Sequence, residues 1–290
     1  MKKLSLIILT YNSEKDIYDC LQSVYQYNDI GVCLEIIVVD NNSDNYIQMR
    51  HKINTQYPDV IILSNTQNGG YGQGNNIGIM AATSPIVAIM NPDIRLIMPI
   101  FQEMLNAFEN DQVILCGGKQ YKNETTPAVS FWCDYHRSAL LQSLYISYYR
   151  KRDIYKPTCM WLSGAFFAIR KKEFEQIGLF DENIFMYGEE YDIHLRLQQN
   201  FPDKLIKYFP KLKYVHLIEE RELTTAALQK TYKSLLYVCN KHNISTTKFL
   251  LVQRVTNFLR FCMTNIVRIL GRPYNYTNCK LNRQVLRTLK

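Results

Sequence analysis

Three polar clusters in this sequence have residue types and spacings that could carry chemistry. The densest is Glu189-Glu190-Tyr191-Asp192, which follows Phe185-Met186-Tyr187-Gly188 and opens an apparent helix with Ile193, Leu195 and Leu197. Carboxylates crowded at a partly buried helix start repel one another, and that raises one pKa toward the range of a useful general base. The plainer alternative is helix-end electrostatics, with acids favoured by the macrodipole and Asp192 and Arg196 forming a weak surface pair at four-residue spacing. The second cluster, Asn91-Pro92-Asp93, offers one carboxylate, which is either a turn residue or a ligand for a hard divalent cation. Such a cation takes one or two protein carboxylates and completes its shell with diphosphate oxygens and water. The third, Asn68 to Gly78, reads NGGYGQGNNIG. Its glycines do not match a dinucleotide fingerprint and are expected to make a tight turn into a helix, whose first amides also suit a diphosphate. A lone histidine, His216, lies in the apolar segment Tyr214-Val215-His216-Leu217, where a satisfied core residue is the commoner role.

The elements that must position these clusters follow from apolar patterning. Continuous apolar runs over 4–9, 34–39, 60–63 and 85–90 predict buried strands. Ser13-Glu14-Lys15-Asp16 resembles a capping box, with Ile17, Leu21 and Val24 at helical spacing behind it. Alternating strands and helices predict right-handed βαβ units and a parallel sheet. In such a sheet the polar residues at the strand ends, Thr10-Tyr11-Asn12, Asp40-Asn41-Asn42, Asn68 and Asp93, converge on one crevice. An apolar segment over 161–169 should lead into a helix over 171–177 that stops at Gly178. The Tyr-rich stretch YISYYRKRDIY fits no regular pattern.

A length of 290 residues with 47% hydrophobic content excludes a disordered chain. The 8 cysteines form no CxxC pair and are expected as free thiols of a reducing compartment. The opening MKKLSLIIL stops too soon for a signal peptide, and no run approaches the ~20 apolar residues of a spanning helix. The net charge of +8 conceals an asymmetry: residues 221–290 hold 13 Lys/Arg and one acid, against 21 and 25 in residues 1–220. A basic tail on an acidic body points to phospholipid headgroups or nucleic acid. Within that tail, Leu251, Val255, Phe258, Leu259, Cys262, Ile266, Ile269 and Leu270 share one helical face, opposite Arg254, Asn257, Arg260, Thr264 and Arg268. That helix either packs on the body or lies in a membrane interface.

The motifs LSLIILTYNSE, IIVVDNNSD, NGGYGQGNNIGI, MNPDI, WLSGAFFAIRKKEFEQIGLFDENIFMYGEEYDIHLRL and YVHL, taken in order, resemble the inverting family 2 glycosyltransferases, over roughly residues 4–217. Within that family the likeness is to bacterial rhamnosyltransferase-like enzymes. The resemblance implies an α/β fold of GT-A type: a Rossmann-like, mostly parallel sheet flanked by helices, here with a basic helical C-terminal extension. It divides the chain into a nucleotide-sugar-binding half (1–100), an acceptor-binding and catalytic half (101–220) and the extension (221–290). It implies that Thr10, Tyr11, Asn12, Asp40 and Asn42 line the nucleoside pocket with Gly72 and Asn76 close by. Asp93 would bind the donor through a divalent metal, magnesium or manganese, with His216 as a second ligand. Trp161, Gly164, Ala165 and Phe166 would border the acceptor, and Glu190 would be the base, with Glu189 and Asp192 as alternatives. The family usually has Asp at the position of Glu190, so this base would reach from one methylene further back, and the metal motif keeps a single acid.

The implied reaction is one direct displacement with inversion, in which an acceptor hydroxyl attacks the anomeric carbon of a nucleotide sugar. By the same resemblance the donor is dTDP-rhamnose, with UDP-hexoses next, and the acceptor a saccharide or lipid-linked glycan in O-antigen or capsule assembly at the cytoplasmic face of the plasma membrane. An anionic membrane surface is the expected partner of the tail. A non-catalytic nucleic-acid-binding protein is the rival from another class, but it leaves the strand-end clusters unexplained, so no nucleic-acid partner is expected.

Overall fold

The apolar runs over 4–9, 34–39 and 85–90 become strands with little or no exposed surface, as expected of strands covered on both faces, whereas the run over 60–63, also expected to be buried, becomes an edge strand with Ile61 40% exposed. The computed structural model describes residues 1–217, 224–269 and 277–289, without the side chains of 267–269, 277 and 278. Leu270 and the side chains of Arg268 and Ile269 therefore lie outside the described residues. The chain runs β1 (Leu4–Thr10), α1 (Glu14–Gln26), a 3-10 turn (Gly31–Cys33), β2 (Leu34–Asp40), α2 (Tyr46–Gln56), β3 (Ile61–Ser64), α3 (Gly70–Ala81), β4 (Ile86–Met90), β5 (Ile94–Leu96), α4 (Phe101–Ala107) and β6 (Val113–Tyr121). It continues through β7 (Phe131–Cys133), a π-helical turn (Leu141–Tyr145), α5 (Ile146–Lys151), β8 (Met160–Leu162), β9 (Phe166–Arg170), α6 (Lys171–Gln176), α7 (Glu189–Asn200), β10 (Leu205–His216), α8 (Thr225–Lys241), α9 (Thr246–Ile269) and α10 (Thr277–Thr288). The Tyr-rich stretch is α5 and its flanks.

The main sheet has the order β3-β2-β1-β4-β9-β6-β10-β5. Pairings β1·β2, β1·β4, β2·β3 and β6·β10 are parallel, and β4·β9, β6·β9 and β5·β10 are antiparallel. Two of the antiparallel pairs enter where the apolar segment expected over 161–169 divides into β8 and β9, separated by Ser163-Gly164-Ala165. β9 then runs antiparallel between β4 and β6.

Two units compose the chain: Met1–Ser130, Leu162–Phe185 and Ile193–Glu219 form the first; Phe131–Trp161, Met186–Asp192 and Glu220–Lys290 the second. In the first unit, Ile17, Leu21 and Val24 of α1 and Phe101 and Met104 of α4 join Leu4, Leu6, Ile8, Val38 and Ala88 in one core, all with no exposed surface. α1 does begin after Ser13, but the Ser13 hydroxyl turns back to the Tyr11 carbonyl (3.0 Å) and caps no helix amide, so the capping box does not form. In the second unit, α8, α9 and α10 bury Leu235, Val238, Phe249, Val285 and Leu286. No helix among the described residues is long and apolar enough to cross a membrane.

Candidate functional site

In the first unit, the carboxyl ends of β1 and β2 carry two tightly bonded loops. Asp40 is 1% exposed, and its carboxylate accepts from the Ser43 amide (2.9 Å) and the Thr10 hydroxyl (3.3 Å). The Asn12 amide donates to the Ser43 hydroxyl (2.8 Å), and the Asn12 carboxamide exchanges bonds with Asp44, accepting from its amide (2.9 Å) and donating to its carboxylate (3.2 Å). Asn12 and Asn42 have positive φ of 49° and 68°, a conformation that asparagine tolerates best among residues with a side chain. The candidates thus divide by role. Thr10 and Asp40 are buried and hold the loops; Tyr11, Asn12 and Asn42 stand exposed on them. Asn41, which spacing did not single out, ties the crevice together. Its carboxamide donates to Asn68 Oδ1 (2.9 Å) and the Gly70 carbonyl (3.1 Å) and accepts from Asn65 (2.8 Å).

The glycines of the third cluster make the expected turn into a helix at one position and do other work at the rest. Only Gly70 has a positive φ (88°), at the turn into α3; Gly72, Gly74 and Gly78 are helical. A Cβ on Gly74 would meet Leu9 at 2.4 Å, one on Gly78 Ile7 at 2.5 Å, and one on Gly72 Phe180 at 2.9 Å. They allow α3 to lie close on β1 and on the 180 segment. Asn76 serves the same joint, donating to the Phe180 carbonyl and Glu182 (both 3.0 Å) and accepting from the Phe180 amide (3.0 Å).

Asp93 sits on the turn between β4 and β5. The antiparallel register sets His216 opposite Ile94, and His216 Nε2 lies 3.1 Å from Asp93 Oδ2. Asp93 Oδ1 and His216 Nδ1 are buried and have no hydrogen-bond partner. The facing atoms, a carboxylate oxygen and the imidazole Nε2, are donor types suited to a divalent cation, which would take the place of the contact between them. Among the described residues no group of three or more His, Cys, Asp or Glu could hold a metal, so water and ligand oxygens would have to complete the shell. Arg95 stiffens this turn: its guanidinium donates to the Pro92 and Ile94 carbonyls (3.0 and 2.9 Å) and to Asp16 of α1 (3.3 Å). A lone cation in an otherwise apolar edge strand was the signal for it.

Of the acceptor candidates, Gly164 and Ala165 act here through their backbone. The Gly164 carbonyl accepts from the Tyr71 hydroxyl (2.8 Å), and the Ala165 carbonyl from the Asn91 amide (2.9 Å), which anchors the Asp93 turn. Phe166 is a core side chain with no exposed surface, edge-on to Tyr214 and Phe101. In the second unit, Trp161 is 5% exposed and stacked on Trp132 (centroids 6.0 Å, 23°), with its indole N–H unpartnered.

The second unit also holds the three acids at the start of α7, in three different environments. Asp192 has no exposed surface and meets Lys241 Nζ at 2.9 Å and His242 Nε2 at 2.8 Å. Asp192 and Arg196 are both buried, so neither holds the surface position expected of that pair. Arg196 is buried in the first unit and donates to the Ile177 carbonyl (2.6 Å). Glu189 is 3% exposed; burial first, and then the charge of Glu190, push its carboxyl well above the usual range, so the raised pKa expected in this cluster falls on the acid that solvent scarcely reaches. Glu190 is half-buried and reachable by solvent.

Residues 5–178, more than half of the chain, match the family described as glycosyl transferase family 2. Among relatives, the low-salt glycan biosynthesis hexosyltransferase Agl10 of Haloferax volcanii is 26% identical over 202 residues, 68% of this chain. The chain spans 62% of that protein's length. Rhamnosyltransferase WbbL of Escherichia coli is 29% identical over 103 residues, 34% of this chain and 38% of its own. Among solved structures, the mannosyltransferase PcManGT from Pyrobaculum calidifontis, in complex with GDP-Man and Mn2+, superposes with a TM-score of 0.61 at 15% identity, covering 100% of this chain and 81% of its own. The strand order, the helices flanking the sheet and this superposition are those of the GT-A fold. The chain belongs to glycosyl transferase family 2.

Proposed function

We propose that this chain transfers a sugar, with inversion, from a nucleotide sugar to a saccharide or lipid-linked acceptor in surface polysaccharide assembly. The observation that carries the reading is the Asp93–His216 pair, two ligand-type side chains brought to 3.1 Å by strand register, each with a buried atom lacking any partner. A divalent cation held there would neutralise charge developing on the departing nucleoside diphosphate. Tyr11, Asn12 and Asn42 would contact the nucleoside, presented by the buried Thr10–Asp40–Ser43 bonds. Glu190 would accept the proton of the acceptor hydroxyl as its oxygen bonds to the anomeric carbon and the bond to the diphosphate breaks. It is the fitting acid of the three, because Asp192 is bound to two cationic-type side chains and Glu189 is 3% exposed, while Glu190 is open to solvent.

For the donor we favour dTDP-rhamnose, on the likeness to a named rhamnosyltransferase; a UDP-hexose is the second reading, on the likeness to a named hexosyltransferase. Peripheral attachment to the inner face of the plasma membrane completes the proposal, supported by the basic tail. Thermal-shift measurements with nucleotide sugars, with and without manganese or magnesium, test the donor, since a ligand of the native state raises the melting point. A metal-dependent shift with dTDP-rhamnose is expected. Shifts with UDP-sugars and none with dTDP-sugars would move the assignment to the second reading, and no response to any nucleotide sugar would remove the transferase.

A further inference from the structure

In the second unit, α9 beyond its first turns, where Phe249 and Leu250 are buried, is turned opposite to the usual amphipathic helix. Its polar edge faces the protein: Thr256 and Thr264 are each 2% exposed, and Gln253 and Arg260 donate to Gln142 Oε1 and the Gln142 carbonyl. Its apolar stripe faces out, with Leu251, Phe258 and Ile266 at 58%, 63% and 58% exposure. The unit's own packing therefore leaves this stripe uncovered, and an exposed apolar stripe of this kind marks a binding surface. Beside it, α9 and α10 enclose a groove of about 400 Å³. Its walls are Phe258, Phe261, Cys279 and Leu286, so the groove opens on the stripe at Phe258. Lys280, Arg283 and Arg287 line it too, exposed on one face of α10. Among the described residues these three have no ion-pair partner, and residues 223–290 contain no Asp or Glu at all. Arg254, also at the groove, is occupied in capping the Leu286 and Leu289 carbonyls (3.1 and 2.8 Å).

Apolar walls with a rim of free cations and no carboxylate match one ligand chemistry, an anionic head joined to an apolar chain. We propose that the α9–α10 groove binds the phosphate head of a membrane phospholipid while the α9 stripe beside it enters the interfacial layer. This deepens the membrane attachment proposed above and is independent of the transfer chemistry. Aliphatic stems of Lys280, Arg283 and Arg287 can lie along the apolar wall with their charges at the headgroup level.

The test uses the full chain with vesicles of phosphatidylcholine alone or with added phosphatidylglycerol, and in solution with dihexanoyl phosphatidylglycerol or inorganic phosphate. Binding to the phosphatidylglycerol vesicles and a raised melting point with the short-chain lipid are expected, with no shift from inorganic phosphate. Each cation at an anionic surface is worth about fivefold in partition, so K280Q/R283Q/R287Q should weaken vesicle binding about a hundredfold and abolish the short-chain lipid shift. The charge-matched control K3Q/K122Q/K172Q, at exposed positions of the first unit, should change far less. L251S/I266S should weaken vesicle binding but keep the short-chain lipid shift. Equal losses in the two charge variants would overturn the groove in favour of diffuse attraction. An equal shift from inorganic phosphate would make it a simple anion site. A wild-type dimer that L251S/I266S converts to monomer, with no vesicle binding, would mean that a second copy covers the stripe. Donor-induced melting shifts read in parallel keep failure here separate from failure of the transferase reading.

Discussion

The carboxylate of Asp192 receives Lys241 Nζ at 2.9 Å and His242 Nε2 at 2.8 Å, which ties the first turn of α7 to the end of α8 within the second unit. The bond accounts for an acid with no exposed surface next to the proposed base. Asp192→Asn should cost about 1–3 kcal/mol of stability, between an exposed pair and the about 3–5 kcal/mol of a fully buried one, because Lys241 keeps part of its surface in water. Turnover per folded molecule should fall much less than in Glu190→Gln. Denaturant melts with active-site-normalised rates check this, and a fully folded but inactive Asp192→Asn would transfer the catalytic role to Asp192.

Close packing of α3 makes its glycines a stability test. Gly78→Ala would press a methyl within 2.5 Å of Ile7 and 3.0 Å of Val39, both buried on adjacent strands, and should cost about 1–3 kcal/mol. Gly178→Ala meets nothing within 4 Å but must adopt φ of +87°, at about 1–2 kcal/mol. If Gly78→Ala melts like the wild type, α3 has room to shift off the sheet.

These two cases also show what the sequence made legible. The runs of β1, β2 and β4 could be read directly, because a strand covered on both faces is apolar at every position. The strand-end clusters followed, since parallel topology sends those ends to one edge. In NGGYGQGNNIG the turn into a helix was legible, but the role of Gly72, Gly74 and Gly78 was not, because a glycine needed for positive φ and one needed for close approach look identical until the neighbour, here Ile7 or Leu9, is known. Asp192 and Arg196 were read as a surface pair for a similar reason: helical spacing reports which residues could meet and not how deeply they lie, and Asp192 is buried against Lys241 and His242, 49 and 50 positions away. In α9 the amphipathic period was plain, but which edge faces the protein depended on Gln142 and its neighbours.

Glu189 supplies a pH test. Its folded-state pKa lies well above the ordinary 4.5, raised by burial and then by Glu190. The native state therefore holds this proton more tightly than the unfolded chain, so the contribution is complete below about pH 4.5 and declines as pH rises through the folded pKa. Glu189→Gln, neutral at every pH, should remove that decline: mutant and wild type should diverge in the mutant's favour as pH rises above about 4.5. Parallel stability curves across that range would mean that Glu189 ionises without penalty.

The metal pair predicts a separation of two binding terms. Asp93→Asn keeps an oxygen next to His216 but loses the charge, and manganese-dependent donor binding should weaken by more than the about 10- to 100-fold typical of losing a ligand's hydrogen-bond partner. His216→Gln should fall within that range. Nucleoside binding without metal should be unchanged in both, since Tyr11, Asn12 and Asn42 remain. Titration calorimetry with and without manganese reads both terms, and equal donor affinity in wild type and Asp93→Asn with metal present would remove Asp93 from the site.

Glu190 carries the sharpest prediction, because its two neighbours are accounted for by other physics. Asp192 is buried against Lys241 and His242 and Glu189 is 3% exposed, whereas Glu190 is half-buried and is the acid of the three that an incoming hydroxyl can reach. Glu190→Gln keeps the volume and the hydrogen-bonding oxygen while removing basicity. Donor and metal should bind as in the wild type, and turnover should drop by about two to four orders of magnitude, the usual contribution of a positioned base. Glu190→Asp shortens the reach by one methylene while keeping basicity, so partial activity should return with a similar pH profile. Rates measured at saturating donor and acceptor separate chemistry from binding. Near-normal turnover in Glu190→Gln, together with its loss in Glu189→Gln or Asp192→Asn at unchanged folding, would show that the proton goes to a different acid.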